Sequence, residues 1–213
     1  MNAPARITLV SDVSPVCAGG ASRRDHVTAL GVIALAALYA TVRYNVFKGV
    51  PWGDWPGYIA DKALAVAGLL LLALAGWRKF RGRGSGALLM SWAGVLVIGH
   101  VALSLALFPA GYFSRFITDG HATLAGGISL LAGGLAIGLL ELGARRAAVW
   151  RNGGVAASFS GLLVFSAVHS AAPGVSGWLD PGTWPGGLPP LTLLASVPAF
   201  LTSGLLLMRV RAN

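Results

Sequence analysis

Four histidines occur in the 213 residues, and two of them, His100 and His169, lie inside long apolar stretches. An ionisable side chain in such a place is costly to bury and marks a functional site by default. His100 follows the start of its stretch by 14 residues and His169 by 16. If both stretches are helices running the same way, a rise of about 1.5 Å per residue puts the two rings roughly 21 and 24 Å above one boundary of the apolar layer. Two imidazoles at one depth on non-adjacent helices can supply both axial nitrogens of a haem iron. That ligation closes the iron to substrates and favours electron transfer over oxygen chemistry. The alternative is that each histidine makes an interhelical hydrogen bond, with Ser91, Ser104 or Ser166 as partners.

Three further residues belong to this chemistry. Arg43 lies near the far end of the first apolar stretch and is placed to neutralise a haem propionate; the other reading is an arginine snorkelling to the headgroups. His121, preceded by Asp119-Gly120, opens the fourth stretch as a third ligand, a propionate contact or an interfacial capping residue. Arg115 is a third candidate for the propionates. His26, beside Arg24 and Asp25, reads as a solvated interfacial residue.

The elements that must position these residues follow from hydropathy. Hydrophobic residues make up 55% of the chain, charged residues 11%, and the mean hydropathy is +0.72. A soluble domain carries about 25% charged residues, so this composition excludes an ordinary water-facing surface. Six apolar runs are predicted as membrane-spanning helices: His26 to Val46, Ile59 to Trp77, Gly86 to Phe108, His121 to Leu142, Gly153 to Ala172 and Leu188 to Met208. Each is long enough to cross a hydrocarbon core of about 30 Å. The breaks carry turn residues: Gly49-Val50-Pro51, Pro109 with Gly111, Pro173-Gly174, and the Pro181 to Pro190 segment. The fold class is therefore an all-α membrane protein, a six-transmembrane-helix bundle over residues 26–213, preceded by a cytoplasmic tail over residues 1–25.

The net charge of +9 lies in the loops and speaks for orientation rather than for nucleic acid as a partner. Twelve Lys and Arg residues fall on the side of the termini, among them Arg23, Arg24, Arg78, Lys79, Arg145 and Arg209. Four fall opposite: Arg43, Lys48, Lys62 and Arg115. The positive-inside rule then puts both termini in the cytoplasm of a bacterial inner-membrane protein. Trp52, Trp55, Tyr58, Tyr112, Trp178 and Trp184 suit an aromatic belt on the outer side. Cys17 is the only cysteine, so no internal disulfide or CxxC redox motif forms. The start of the chain lacks the continuous apolar core of a cleaved signal.

Helix four is dense in glycine: Gly126, Gly127, Gly133, Gly134 and Gly138. Gly134 and Gly138 form a GxxxG, which reads as close helix packing; a compatible reading is room for a flat cofactor. The segment Trp178 to Pro190 is expected to form an ordered cap over the outer ends of helices five and six, and an electron acceptor could dock on it.

At these residues the chain resembles the bacterial ferric reductase-like transmembrane domain family, related to the haem-binding membrane subunit of the periplasmic methionine sulfoxide reductase system. The stretches that carry the resemblance are Arg43 to Trp52, Asp61-Lys62-Ala63-Leu64-Ala65, Gly99-His100-Val101 with Ser104-Leu105, Pro109-Ala110-Gly111-Tyr112, Gly177-Trp178-Leu179-Asp180, and Trp184 to Pro190. The resemblance implies a six-helix haem b protein with its ligands at His100 and His169. Many members of the family stack a second haem, which needs a histidine about 13 residues before each of these; Ala87 and Ala156 stand there instead. A single haem b in the outer half is the expectation. No GxGxxG-containing βαβ unit follows helix six, so nicotinamide oxidation in the usual way is not expected. Electrons would come from a quinol, a bound flavin or a flavoprotein partner and leave towards a periplasmic redox partner. The rival readings are a non-haem membrane protein of the same fold and a small transporter. The transporter is weakened by the scarcity of buried acids, with Glu141 and Asp61 placed at helix ends.

Overall fold

The computed structural model describes residues 23–82, 86–108, 111–145 and 154–212. Cys17, most of the expected tail, the basic residues Arg83, Arg146 and Arg151, and the turn at Pro109 lie outside the described residues. The described residues form six α-helices: α1 (Arg23–Thr41), α2 (Ala60–Phe80), α3 (Ala87–Leu107), α4 (Leu124–Arg145), α5 (Gly154–Ala171) and α6 (Leu191–Ala212). Five of the helical stretches are long and apolar enough to cross a membrane, while the apolar part of α5, Ala157–Ala171, is shorter. Leu35, Leu38, Ile98, Leu131 and Leu201 are exposed on their helices, a surface that suits lipid. The chain is an all-α, multi-pass membrane bundle.

Helix boundaries have local causes. α1 continues through a π-turn over Val42–Phe47, and α2 is entered through short turns over Trp52–Asp54 and Trp55–Ile59, with a proline in the first turn of the latter. Proline is tolerated there because its missing N–H would have had no helical partner. α3 starts at Gly86, whose φ of 63° is left-handed and where a Cβ would come within 3.1 Å of the Ala75 backbone. Both conditions favour glycine. Pro198 sits inside α6 and does not divide it.

α2 packs on α1, α3 and α6, and α5 packs on α4 and α6. Among the described residues no substantial α3–α4 contact closes the ring, so these helices form an arc with a gap between α3 and α4. Arg78 pairs with Asp25, and Arg209 donates to the Phe80 carbonyl. These contacts gather the start of α1 and the ends of α2 and α6 at one pole, the termini end. There the core is dry: Gly76 lies so close to Phe159, Leu163 and Thr202 that a Cβ would meet them at 2.7–3.3 Å. Ser160 and Ser203 bond each other's carbonyls across α5 and α6.

The opposite pole, the loop end, is stitched by polar contacts. Tyr39 donates to the Pro189 carbonyl at 2.8 Å, and Arg43 donates to that of Leu188. Trp178 bonds Thr192 and Trp184 bonds the Gly177 carbonyl. The segment from Trp178 to Pro190 is thus ordered and fastened to α1 as well as α6, with both indole N–H groups spent internally.

Two expectations change. His121 does not open α4; it sits in a two-residue antiparallel pairing, opposite Thr118. Asp119 and Gly120 both have positive φ, 52° and 76°, as a tight hairpin turn requires. Thr123 then caps α4, its hydroxyl accepting from the Gly126 N–H at 2.9 Å. The GxxxG pair is not a packing face either. A Cβ at Gly134 or Gly138 would meet nothing within 4 Å, whereas one at Gly133 would lie 2.8 Å from His169 Nδ1. The glycine that permits close approach is outside the motif.

Candidate functional site

α3 and α5 bring His100 and His169 together edge to face, with ring centroids 6.1 Å apart and planes inclined at 64°. Each ring is held through Nδ1. His100 Nδ1 lies 2.8 Å from Asp61 Oδ1, and Ser104 donates its hydroxyl to the same oxygen, also at 2.8 Å. A carboxylate only accepts, so the His100 proton sits on Nδ1 and the lone pair on Nε2. His169 Nδ1 lies 2.8 Å from the Ser129 carbonyl oxygen, which fixes the same tautomer. Ser129 is fully buried, and its hydroxyl donates to the His169 carbonyl at 2.7 Å. Among the described residues neither Nε2 has a hydrogen-bond partner.

Both rings line a cavity of ≈ 460 Å³ that opens at the gap between α3 and α4. That volume falls within the range of about 300–1,000 Å³ usual for cofactor pockets. Its walls are mostly apolar, with Val97, Leu105 and Phe108 from α3 and its end, and Leu130, Gly134 and Ile137 from α4. Leu105, Leu130 and Ile137 are also exposed on the outer surface of the bundle, so the cavity has a side opening.

The loop end of the cavity is cationic and aromatic. Lys62 and Tyr44 line it. Lys62 Nζ lies 4.1 Å from the Tyr58 ring centroid, and Lys48 Nζ lies 5.3 Å from that of Tyr44. Tyr58 stacks on Tyr112 at 5.1 Å. Burial, and then the charges of Arg115 and Arg43, hold the Lys48 ammonium below its usual pKa. Arg115 donates to the carbonyl of Pro173, itself a wall residue.

Of the residues singled out from sequence, His100 and His169 meet in the cavity. Arg43 is buried but turned to the Leu188 carbonyl and does not line it; His121 is exposed on its hairpin and does not line it either. His26 is at the termini end, where Trp92 Nε1 approaches its Nδ1 at 3.3 Å. Three participants escaped sequence reasoning. Asp61 read as a helix-end acid, yet it is 2% exposed and oriented on His100. Lys62 stood in a stretch that carries the family resemblance but was read only as an outer-side cation, and Ser129 carried no motif. The available signal was an acid within an apolar span, which requires a partner at the same depth.

No set of three or more His, Cys, Asp or Glu side chains able to hold a metal ion occurs among the described residues. Two free imidazole nitrogens therefore suit a metal that brings its other ligands with it. Two imidazoles each about 2.0 Å from one metal would hold their centroids roughly 6 Å apart. Fold and site together define a polytopic helical membrane protein with a paired-histidine cavity. No protein-family model, curated protein or solved structure matches the chain.

Proposed function

We propose that this chain is a membrane-embedded b-type haem electron-transfer subunit of the ferric reductase-like kind, passing electrons towards an acceptor at the outer, periplasmic face. The observation that carries this reading is the pair of Nε2 lone pairs on rings 6.1 Å apart beside a cavity of cofactor size. Haem so ligated supplies one-electron transfer between ferric and ferrous iron. The residues of the chain do the rest. His100 and His169 would hold the iron through their Nε2 atoms. Gly133 lets α4 lie against the His169 ring. The apolar walls would exclude water, and Lys62, on the cavity wall, would pair with a propionate carboxylate, which cannot stay unpaired in hydrocarbon. Arg43 and His121 recede as propionate partners.

The close packing of Gly76 against Phe159 and Leu163 at the termini end supports one haem rather than two. A donor dissolved in the membrane, such as a quinol, or a flavoprotein fits a single haem near the loop end. Both termini in the cytoplasm of a bacterial inner-membrane protein accord with the charge distribution. Reporter fusions after Asn213 and within the 181–187 loop should read opposite sides of the membrane.

A reduced-minus-oxidised absorption spectrum of the purified protein is the direct test. The wild type should show a low-spin b-type signal, and His100→Ala and His169→Ala should each abolish it while His26→Ala keeps it. Purified protein without haem, or haem indifferent to both cavity histidines, overturns the reading.

A further inference from the structure

We propose that Asp61 is a positioning residue that sets the reduction potential of this site through His100, making the two axial ligands unequal. This rests on the haem reading above. The two rings are alike in tautomer and differ in what holds them. His169 Nδ1 is held by a neutral backbone carbonyl, that of Ser129, at 2.8 Å. His100 Nδ1 is held at the same distance by a carboxylate that is 2% exposed.

A carboxylate accepting from the far nitrogen of a metal-bound imidazole raises the basicity of the ligating nitrogen. A more basic, partly anionic ligand favours the ferric over the ferrous state and so lowers the potential. Second-shell hydrogen bonding is one of the protein's main controls on a haem. Burial strengthens the effect, because little water is present to screen the charge. Ser104 acts in the opposite sense. Its hydroxyl donates to the same Oδ1 that His100 uses, at 2.8 Å, and withdraws acceptor strength from it. Asp61 and Ser104 thus form a graded pair: one donates electron density to the ring, and the other moderates it.

The geometry gives variants of opposite sign. Asp61→Asn keeps the side-chain shape and removes the charge, so the midpoint potential should rise, with low-spin haem retained and an altered electron paramagnetic resonance signature of the axial field. Ser104→Ala frees the carboxylate to act fully on His100, so the potential should fall. Ser129→Ala leaves the carbonyl in place and should give the smallest shift of the three. In the haem-free wild type, nitrogen-15 resonance of the His100 ring should show the proton on Nδ1.

Spectroelectrochemical titration of the purified, haem-loaded chain reads all three variants. An Asp61→Asn protein that binds haem at an unchanged or lower potential overturns the inference. If that variant does not retain haem, Ser104→Ala decides: a lowered potential supports the inference, and an unchanged or raised one overturns it. Failure of the haem reading itself is a separate event, visible as missing haem in the wild type before any variant is made.

Discussion

The two poles of this bundle are built from the same helices and solve opposite problems. At the termini end α2, α5 and α6 approach until Gly76 has no room for a methyl group against Phe159 and Thr202. At the loop end α2 and α5 stand apart around a cavity whose walls carry a carboxylate, two imidazoles and a lysine. Stability and chemistry are separated along the helix axes. Burying a carboxylate costs desolvation that its hydrogen bonds only partly offset, so the polar pole depends on the packed one to stay assembled.

That contrast can be broken by substitution. The largest effect is expected for Phe159→Ala. Phe159 is 2% exposed, and truncating a buried Phe costs about 3–5 kcal/mol. Equilibrium unfolding of the haem-free protein in detergent should show this loss, whereas Phe108→Ala, on the half-open cavity wall, should cost far less. Next is Gly133→Ala, which must move His169 or α4. Overpacking of this kind costs about 1–3 kcal/mol, and here haem content should fall with it. Gly138→Ala, one helical turn beyond Gly134, has open space and should be neutral or slightly stabilising, since Ala is favoured over Gly in a helix by up to about 1 kcal/mol. If both glycine variants behave alike, His169 is not held against α4 as described. Smallest among the destabilising changes is Gly120→Ala, with φ 76° in the hairpin. Forcing a Cβ into that region costs about 1 kcal/mol, and the haem signal should be untouched, because the hairpin lies outside the cavity.

The helices were legible in sequence because hydropathy alone determines them; the two histidines stood out because the spans around them are apolar. Their common depth followed from counting residues along two helices that run the same way. What sequence could not supply was lateral: which helix faces which. Asp61 is 39 residues from His100, and no periodicity links them until α2 and α3 are packed side by side. The GxxxG of α4 misled for the same reason. Spacing places Gly134 and Gly138 on one face without saying whether that face meets a helix or a gap. The hairpin at Asp119-Gly120 was readable, since that dipeptide signals a tight turn, but the apolar run beyond it suggested an earlier helix start. Arg43 illustrates the limit for long side chains: its helix position was right, and its guanidinium went to a loop carbonyl.

The gap between α3 and α4 bears on how such a protein is made. A chamber sealed on all sides must close around its contents, so folding has to wait for them. A slot open at its flank imposes no such order. The helices can insert and associate first, with the dry pole holding them together, and a flat apolar guest can slide in afterwards from the plane of the bilayer. On the haem reading, assembly and loading would then be separate events, and the haem-free scaffold would be a stage on the way rather than a misfolded product.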